Sequence, residues 1–174
     1  MSFTSESIIF VQTTNTDIMK SFTLTTEIQV FAMNELPEND RLLVLEAQKA
    51  TLRSYAPYSH FQVGAAALLE DGTIVTGTNQ ENAAYPSGIC AERTTLFYAN
   101  SQYPDLSVKA LAITARTPDG ELCHTPLTPC GACRQVMVET EKRYGKSMRV
   151  LLCGSEEVYI AESARSLLPL SFDL

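Results

Sequence analysis

Apolar and polar positions follow two different periods along the chain, and each period predicts one kind of secondary structure. Short apolar runs, several of them rich in β-branched residues, predict strands over residues 61–69, 73–78, 108–114, 149–153 and 159–160. Longer segments with apolar residues at helical spacing predict helices over residues 37–55, 90–100, 130–144 and 164–168.

The first predicted helix has start and stop signals in the sequence. Pro37 suits a first helical turn, and the acids Glu38 and Asp40 favour the positive end of the helix dipole. Pro57 prevents the helix from continuing beyond about Tyr55. The apolar residues form one stripe with a second set beside it. The stripe is Leu42, Leu45 and Leu52, and the neighbouring set is Leu43, Ala47 and Ala50.

The order of the predicted elements indicates the fold class. Residues 64–67 are small and would let a helix pack very close to their strand, and Asp71-Gly72 is a strong hairpin signal. The strand over residues 108–114 is apolar enough to be central. Strands and helices mixed in this way on one core predict an α/β fold, a three-layer α/β/α sandwich with a mixed sheet.

The first 35 residues differ from the rest of the chain because their pattern is weak. We expect residues 1–35 to form an N-terminal extension that is partly disordered or adds an edge strand, for which residues 22–31 are the candidate. The sequence alone leaves either Met1 or Met19 as the natural start. Residues 36–174 are expected to form one folded domain.

Composition and charge exclude several classes of function. The chain has 174 residues, enough for one domain with a proper core, and a net charge of −7. This charge disfavours a nucleic-acid polymer or an anionic membrane as partner, because both require clustered basic residues. Neither a membrane-spanning apolar run nor a secretory signal is evident. The odd number of cysteines, five, favours reduced thiols and a cytoplasmic location.

Three cysteines carry the candidate chemistry. Cys130 and Cys133 form a Cys-x-x-Cys pair at a predicted helix start, which places two sulfurs on one side of a turn. Cys90 begins another predicted helix and is the best candidate for a third zinc ligand. The positive ends of both helices would help to stabilise the thiolates. Three protein ligands leave one zinc position open, as in catalytic sites.

Two charged residues follow Cys90 and suit such a site. Glu92 lies on the same helical turn, where it could take a proton from zinc-bound water and pass it to a leaving group. Three thiolates on one zinc ion leave a net charge of −1, which opposes ionisation of that water. Arg93 is well placed to offset this charge by donating hydrogen bonds to ligand sulfurs.

Simpler interpretations of these residues exist. A Cys-x-x-Cys pair can be redox-active, a helix glutamate is usually a solvated charge, and Cys90 could be an inert buried thiol. A structural zinc site with Cys123 or His124 as fourth ligand is a further alternative. The combination of Cys-Ala-Glu with Pro-Cys-x-x-Cys forty residues later argues against chance.

These motifs resemble those of the cytidine deaminase family, and in particular its small tetrameric branch, in which Cys replaces His as the first ligand. The resemblance extends from about Pro37 to Phe172. The stretches that carry it are residues 58–66, 79–86, 88–94, 129–135 and 167–172.

The resemblance implies one Zn²⁺ per subunit, bound by Cys90, Cys130 and Cys133, with Glu92 as the proton shuttle. It also implies that the chain forms a homotetramer and that residues 36–174 are a catalytic domain. Both implications come from the family pattern rather than from composition or spacing.

The resemblance further implies a set of substrate-binding residues. Asn79 and Glu81 would bind ribose hydroxyls, Phe61 would pack on the nucleoside, and the backbone around Ala91 would contact the base. Two aromatic residues would help to close the pocket: Phe172, and Tyr85 from a neighbouring subunit. The simpler interpretation is packing for the three aromatic residues and a turn for Asn79.

The function implied by the resemblance is zinc-dependent hydrolytic deamination of cytidine and 2′-deoxycytidine to the uridines, with release of ammonia, in pyrimidine salvage. A carboxylate at Glu81 suits a diol and would repel a 5′-phosphate, and no Arg or Lys occurs between Phe61 and Glu92. A related deaminase acting on a cytosine-containing antibiotic such as blasticidin S is one alternative. A non-catalytic zinc-binding module is another.

Overall fold

A six-stranded mixed sheet lies at the centre of the fold in the computed structural model, which describes residues 11–12 and 21–174. The strands are β1 Val11–Gln12, β2 Ser21–Phe22, β3 Gln29–Ala32, β4 Gln62–Leu69, β5 Ile74–Thr78, β6 Val108–Arg116, β7 Arg149–Cys153 and β8 Glu157–Ala161. The helices are α1 Glu38–Thr51, α2 Ala91–Gln102 and α3 Gly131–Tyr144. Within the described ranges, strands β1 and β2 pair with each other and not with the large sheet.

The strand order in the large sheet is β3-β8-β7-β6-β4-β5. Only β6 and β7 pair in parallel, and α3 lies in the connection between them, as a parallel pair requires a long crossover. The other neighbouring pairs are antiparallel. Strand β6 is central, as its apolar sequence predicted.

Side chains alternate between two cores, one on each face of the sheet. In β4, Ala65 and Ala67 contribute to the core beneath α2 and α3, whereas Ala66 contributes to the core beneath α1. The small residues of β4 bring α1 very close, since a Cβ on Gly64 would lie 2.3 Å from the carbonyl oxygen of Ala47. The predicted three-layer α/β/α architecture is therefore confirmed.

The prediction for the first helix was wrong in its end point, and the structure shows which of its two apolar sets is buried. Helix α1 ends at Thr51, because the backbone N–H of Tyr55 is donated to Asn79 and its carbonyl accepts from Glu81. The predicted stripe of Leu42, Leu45 and Leu52 is exposed at 47%, 43% and 67%. The set beside it faces the sheet instead, together with one valine; the buried residues are Leu43, Val44, Ala47 and Ala50.

The remaining element boundaries shift by small amounts. The last predicted helix is a short 3₁₀ helix, Ala164–Leu167, and the strand predicted at residues 159–160 extends over Glu157–Ala161. Strand β3 lies at the sheet edge and pairs with β8, and it overlaps only the last three residues of the candidate strand over residues 22–31. Residues 1–10 and 13–20 of the expected extension lie outside the described residues, and the boundary at residue 36 stays a prediction.

Among the described residues, each helix falls short of the length and apolarity that crossing a lipid bilayer would require.

Candidate active site

Three cysteine sulfurs meet at one point of the structure. The Sγ atoms of Cys90, Cys130 and Cys133 all lie within 4.8 Å of one another. Cys133 is buried, Cys90 is half-buried and Cys130 is exposed, so the cluster is accessible from one side. Three soft thiol ligands at this separation suit zinc, which accepts thiolates at about 2.3 Å in a tetrahedral arrangement.

Two helix starts bring the sulfurs together. Cys90 immediately precedes α2 and Cys130 immediately precedes α3, each in extended backbone conformation, and Cys133 lies in the first turn of α3. Neither preceding cysteine caps its helix with its side chain, so both sulfurs are free to face the cluster. The positive ends of the two helix dipoles therefore converge on the sulfurs, which favours thiolates.

Arg93 supplies further positive charge to the sulfurs. Its Nη2 donates to Sγ of Cys90 at 3.6 Å. The pKa of Cys90 is lowered by a hydrogen bond that the Cys133 thiol donates to it and by the Arg93 guanidinium. The same hydrogen bond raises the pKa of Cys133, and burial raises it further. The protein alone thus favours the thiolate form of Cys90, and a divalent cation would provide the positive charge needed to ionise Cys133 as well.

The structure does not add a fourth protein ligand to the cluster. Among the residues that it describes, neither Cys123 nor His124 belongs to the group of converging metal-ligating atoms. His124 instead faces Ser155, with its Nδ1 at 3.4 Å from the serine hydroxyl. The three-ligand arrangement leaves a coordination position open, which favours a catalytic over a structural zinc site.

Glu92 lies beside the sulfurs as a buried carboxyl group. The residue is 4% exposed, yet it contributes to the wall of the cleft that opens onto Cys90 and Cys130. Burial raises the pKa of the Glu92 carboxyl, and the negative charge of Cys90 adds to this effect. A carboxyl group whose pKa is raised toward neutrality is suited to take up and release a proton during catalysis.

The cleft above the cluster is open and has a volume of about 790 Å³, which is large enough for a small organic molecule. Its metal end is formed by Cys90, Cys130, Glu92 and Arg93. Its other end is lined by polar and aromatic residues that include Tyr58, Ser59, Phe61, Asn79 and Glu81. A backbone pairing connects the two ends, because Gln80, next to both Asn79 and Glu81, exchanges two hydrogen bonds of 2.9 and 3.0 Å with Ile89, next to Cys90.

The carboxylate of Glu81 is held by the loop that precedes β4. It accepts hydrogen bonds from the backbone N–H groups of Tyr58 and Ser59, at 2.8 and 3.2 Å, and from the Ser59 hydroxyl. The hydroxyl and the Tyr58 N–H lower the pKa of Glu81, which keeps the group ionised at the cleft wall. Glu81 is therefore available as an acceptor only.

Asn79 is held in a similar way at the start of the same stretch. Its Oδ1 accepts from the backbone N–H of Val63 at 2.8 Å and from the Ser54 hydroxyl, and its Nδ2 donates to the carbonyl of Phe61 at 2.9 Å. One N–H of the amide is left without a partner among these contacts. Asn79 and Glu81 thus present a donor and an acceptor to the same end of the cleft.

Of the four remaining predicted substrate residues, two line the cleft and two do not. Phe61 and Tyr85 line the cleft, although Tyr85 is 79% exposed. Ala91 is fully buried in the first turn of α2, and its carbonyl accepts from Thr95 Oγ1 at 2.8 Å. Phe172 does not line the cleft of its own chain and is 69% exposed, with its backbone N–H and carbonyl bound by the Gln135 side chain.

Several cleft residues were absent from the sequence prediction. Among them are Ser59, Gln80, Asn82, Leu127 and Thr128. Ser59 and Gln80 lie within the motifs that carry the family resemblance, so the sequence did indicate that they could be near the site. Nothing in the local sequence marked Leu127 and Thr128, which reach the cleft because Cys130 draws the loop before α3 toward the cluster.

Comparison with known proteins identifies the family. Residues 37–145 match the family model described as the cytidine and deoxycytidylate deaminase zinc-binding region. The match covers all three converging cysteines and Glu92. The chain belongs to this family of zinc-binding deaminases, which confirms the resemblance found in the sequence.

Individual relatives agree with this assignment. The cytidine deaminase of Halalkalibacterium halodurans is 48% identical over 99 residues, which are 57% of this chain and 70% of the relative. That of Sporosarcina psychrophila is 52% identical over 97 residues, 56% of this chain and 66% of the relative. The crystal structure of cytidine deaminase from Burkholderia pseudomallei superposes with a TM-score of 0.64 at 39% identity, covering 75% of this chain and 97% of that one.

The metal site can be tested by single cysteine substitutions. We expect the purified protein to contain one zinc per chain, and Cys90→Ala, Cys130→Ala and Cys133→Ala each to lose most of it, because two thiols bind zinc far more weakly than three. Cys123→Ser is the matched control and should keep full zinc content. Elemental analysis after gel filtration measures this. Zinc loss in Cys123→Ser would contradict the three-ligand site.

Proposed function

We propose that this protein is a cytidine deaminase that hydrolyses cytidine and 2′-deoxycytidine to uridine and 2′-deoxyuridine and releases ammonia. The observation that carries the proposal is the position of Glu92. A buried carboxyl group lies beside three converging thiols at one end of a cleft, and the other end presents groups suited to sugar hydroxyls. Membership of the deaminase family supports the same reaction.

Cys90, Cys130 and Cys133 would hold the zinc. When bound, zinc acts as a Lewis acid and lowers the pKa of a water molecule toward neutrality. Arg93 balances the negative charge of the thiolates through its hydrogen bond to Cys90. The two helix starts contribute positive potential at the same point.

Glu92 moves the protons of the reaction. It takes a proton from the attacking water and delivers it to the ring nitrogen N3, which makes C4 electrophilic. The water oxygen then bonds to C4. When the C4–N4 bond breaks, Glu92 transfers a second proton of the water to the leaving amino group, so that cytidine and water yield uridine and ammonia. The raised pKa of Glu92 suits this alternation between acid and base.

Asn79 and Glu81 position the sugar. A hydroxyl group both donates and accepts, and the free amide N–H of Asn79 with the carboxylate of Glu81 offers the complementary pair. Phe61 lines the same end of the cleft and provides an apolar surface on which the nucleoside would pack. The backbone around Ala91, at the start of α2, would contact the base.

Replacement of Glu92 tests the proton transfer. Glu92→Gln keeps the shape of the side chain but not its acid–base chemistry, so turnover of cytidine should fall by about 10²–10⁴-fold or more. Zinc content should be unchanged, because the three sulfurs are intact. A continuous absorbance assay on zinc-loaded protein measures the rate. Activity within tenfold of the wild type would rule out Glu92 as the proton carrier.

The charges in the cleft favour a free nucleoside over a nucleotide. Among the lining residues in the part of the chain that the structure describes, Arg93 is the only Arg or Lys, and it is bound to Cys90. Glu81 adds a negative charge at the sugar end, where a 5′-phosphate would be repelled. The same argument disfavours an oligonucleotide, in agreement with the net charge of −7.

A substrate panel distinguishes these ligands. We expect kcat/KM for cytidine and 2′-deoxycytidine to exceed that for cytidine 5′-monophosphate by about a hundredfold or more, since a repelled and unpaired phosphate costs several kcal/mol. A cytosine-containing oligonucleotide should not react. Faster turnover of blasticidin S than of cytidine would instead identify an antibiotic deaminase. Ammonia release from none of these compounds would favour a non-catalytic zinc module.

We further propose that the chain assembles as a homotetramer and acts in the cytoplasm in pyrimidine salvage. The assembly is supported by large apolar side chains left exposed, which would be covered by other subunits: Tyr85, Phe97, Tyr98 and Phe172. A cytoplasmic location is supported by the five free thiols, which need a reducing environment.

The assembly can be measured directly. Gel filtration with light scattering should give a mass about four times that of the 19.1 kDa chain. Phe97→Asp would place a charge in the proposed interface and should shift the mass toward smaller species, whereas Leu42→Asp, on the exposed face of α1, should leave the mass unchanged. A monomer of full activity would contradict both the tetramer and a contribution of Tyr85 from a neighbouring subunit.

A further inference from the structure

The loop between α1 and β4 closes around residues 79–81 through hydrogen bonds at several points. Tyr55 donates its N–H to Asn79 at 3.2 Å and accepts from the N–H of Glu81 at 2.8 Å. Farther along, the loop turns at His60, whose φ of 57° lies in the left-handed region and whose N–H donates to Ala56 at 3.0 Å. This turn places Ser59 directly beside the Glu81 carboxylate.

The two oxygens of the Glu81 carboxylate are used unequally. Oε2 accepts two backbone N–H groups, from Tyr58 at 2.8 Å and from Ser59 at 3.2 Å. Oε1 accepts one donor, the Ser59 hydroxyl. Because a carboxylate oxygen has two lone pairs, Oε2 is saturated by the loop and Oε1 keeps one site for a further donor. Glu81 lines the cleft, so that free site is accessible to a bound molecule.

The direction of the Ser59 hydroxyl bond is fixed by a second contact. Its Oγ accepts the backbone N–H of Phe61 at 3.1 Å. An ionised Glu81 can only accept, so the single hydroxyl proton of Ser59 is donated to Oε1. Ser59 therefore orients Glu81 and at the same time fixes the start of the segment that carries Phe61.

We propose that Ser59 is a positioning residue for the sugar: it holds the Glu81 carboxylate so that the remaining lone pair of Oε1 accepts one ribose hydroxyl. This inference rests on the proposed function and deepens it, because it assigns recognition of that hydroxyl to a single oxygen atom. Ser59 acts through Glu81 and takes no part in the proton transfers at Glu92. Its removal should therefore weaken nucleoside binding more than it slows the chemical step.

A comparison of nucleosides tests the assignment. Ser59→Ala should raise KM for cytidine about tenfold with less than a threefold change in kcat, since a hydrogen bond that orients a charged acceptor is lost. The same variant is assayed with 2′-deoxycytidine and 3′-deoxycytidine. For the analogue that lacks the hydroxyl bound by Oε1, the loss in kcat/KM caused by Ser59→Ala should shrink to less than about twofold.

Two further variants separate positioning from a general effect on the loop. Ser59→Thr retains the hydroxyl on an exposed residue and should restore KM to within about threefold of the wild type. Ser101→Ala, at the far end of α2 and exposed, is the matched serine control and should leave all constants unchanged. Thermal melting of each variant shows whether the fold is intact.

The possible results are distinct. Equal losses for all three nucleosides, or a loss confined to kcat, would overturn the role of Ser59 while leaving deamination of cytidine by the wild type in place. Failure of Ser59→Thr to restore KM in a folded variant would also overturn it. If the wild type itself does not deaminate cytidine, the proposed function fails instead, and that result is visible before any variant is compared.

Discussion

The pairing of Gln80 with Ile89 is the constraint on which the site depends. Two backbone hydrogen bonds join the stretch after β5 to the residue before Cys90, so the end of the cleft with Asn79 and Glu81 and the end with the cysteines are parts of one connected backbone. Neither end could be displaced without breaking bonds whose loss would leave buried or half-buried backbone groups unpaired. The distance between Glu92 and the Glu81 carboxylate is thereby constrained by backbone geometry, and a fixed distance of this kind is what orientation of a bound molecule requires.

The charges around the cysteine cluster are a second constraint on the site. Three thiols in one place are unfavourable as thiolates unless positive charge surrounds them, and here it comes from two helix starts and from Arg93, whose Nε is buried without a hydrogen-bond partner among the described residues. Glu92 must share this region without being held ionised. Its burial and the charge of Cys90 raise its pKa, whereas Glu81, which accepts three donors from the loop, has a lowered one. The pKa values of two carboxyl groups eleven residues apart are thus shifted in opposite directions by their surroundings.

Much of this organisation could be predicted from the sequence, because it depends on local spacing. The Cys-x-x-Cys pair at a helix start, Glu92 on the turn after Cys90, and the central strand β6 all follow from short patterns. Which apolar set of α1 is buried could not be predicted, because helical spacing identifies apolar faces but not the surface that each face packs against. The small residues of β4 select the alanine side of that helix. The hydrogen bonds that Tyr58 and Ser59 donate to Glu81 could not be predicted from the sequence. They depend on the left-handed conformation of His60 and on contacts between segments more than twenty residues apart.

Phe172 is held in place by its own chain, yet its ring lies outside the cleft of that chain. Gln135 binds both backbone groups of Phe172, and Lys142 forms an ion pair with Asp173, so the C-terminal segment is fastened along α3, the helix that carries Cys133. The ring itself is 69% exposed and does not reach the cleft of its own chain. In a single chain, the fastened backbone holds a large apolar ring in solvent, where the ring gains no free energy from burial. The ring would gain it if another surface covered it. Covering the Phe172 ring with a second apolar surface would therefore be favourable, while the backbone of the segment already has its partners on α3.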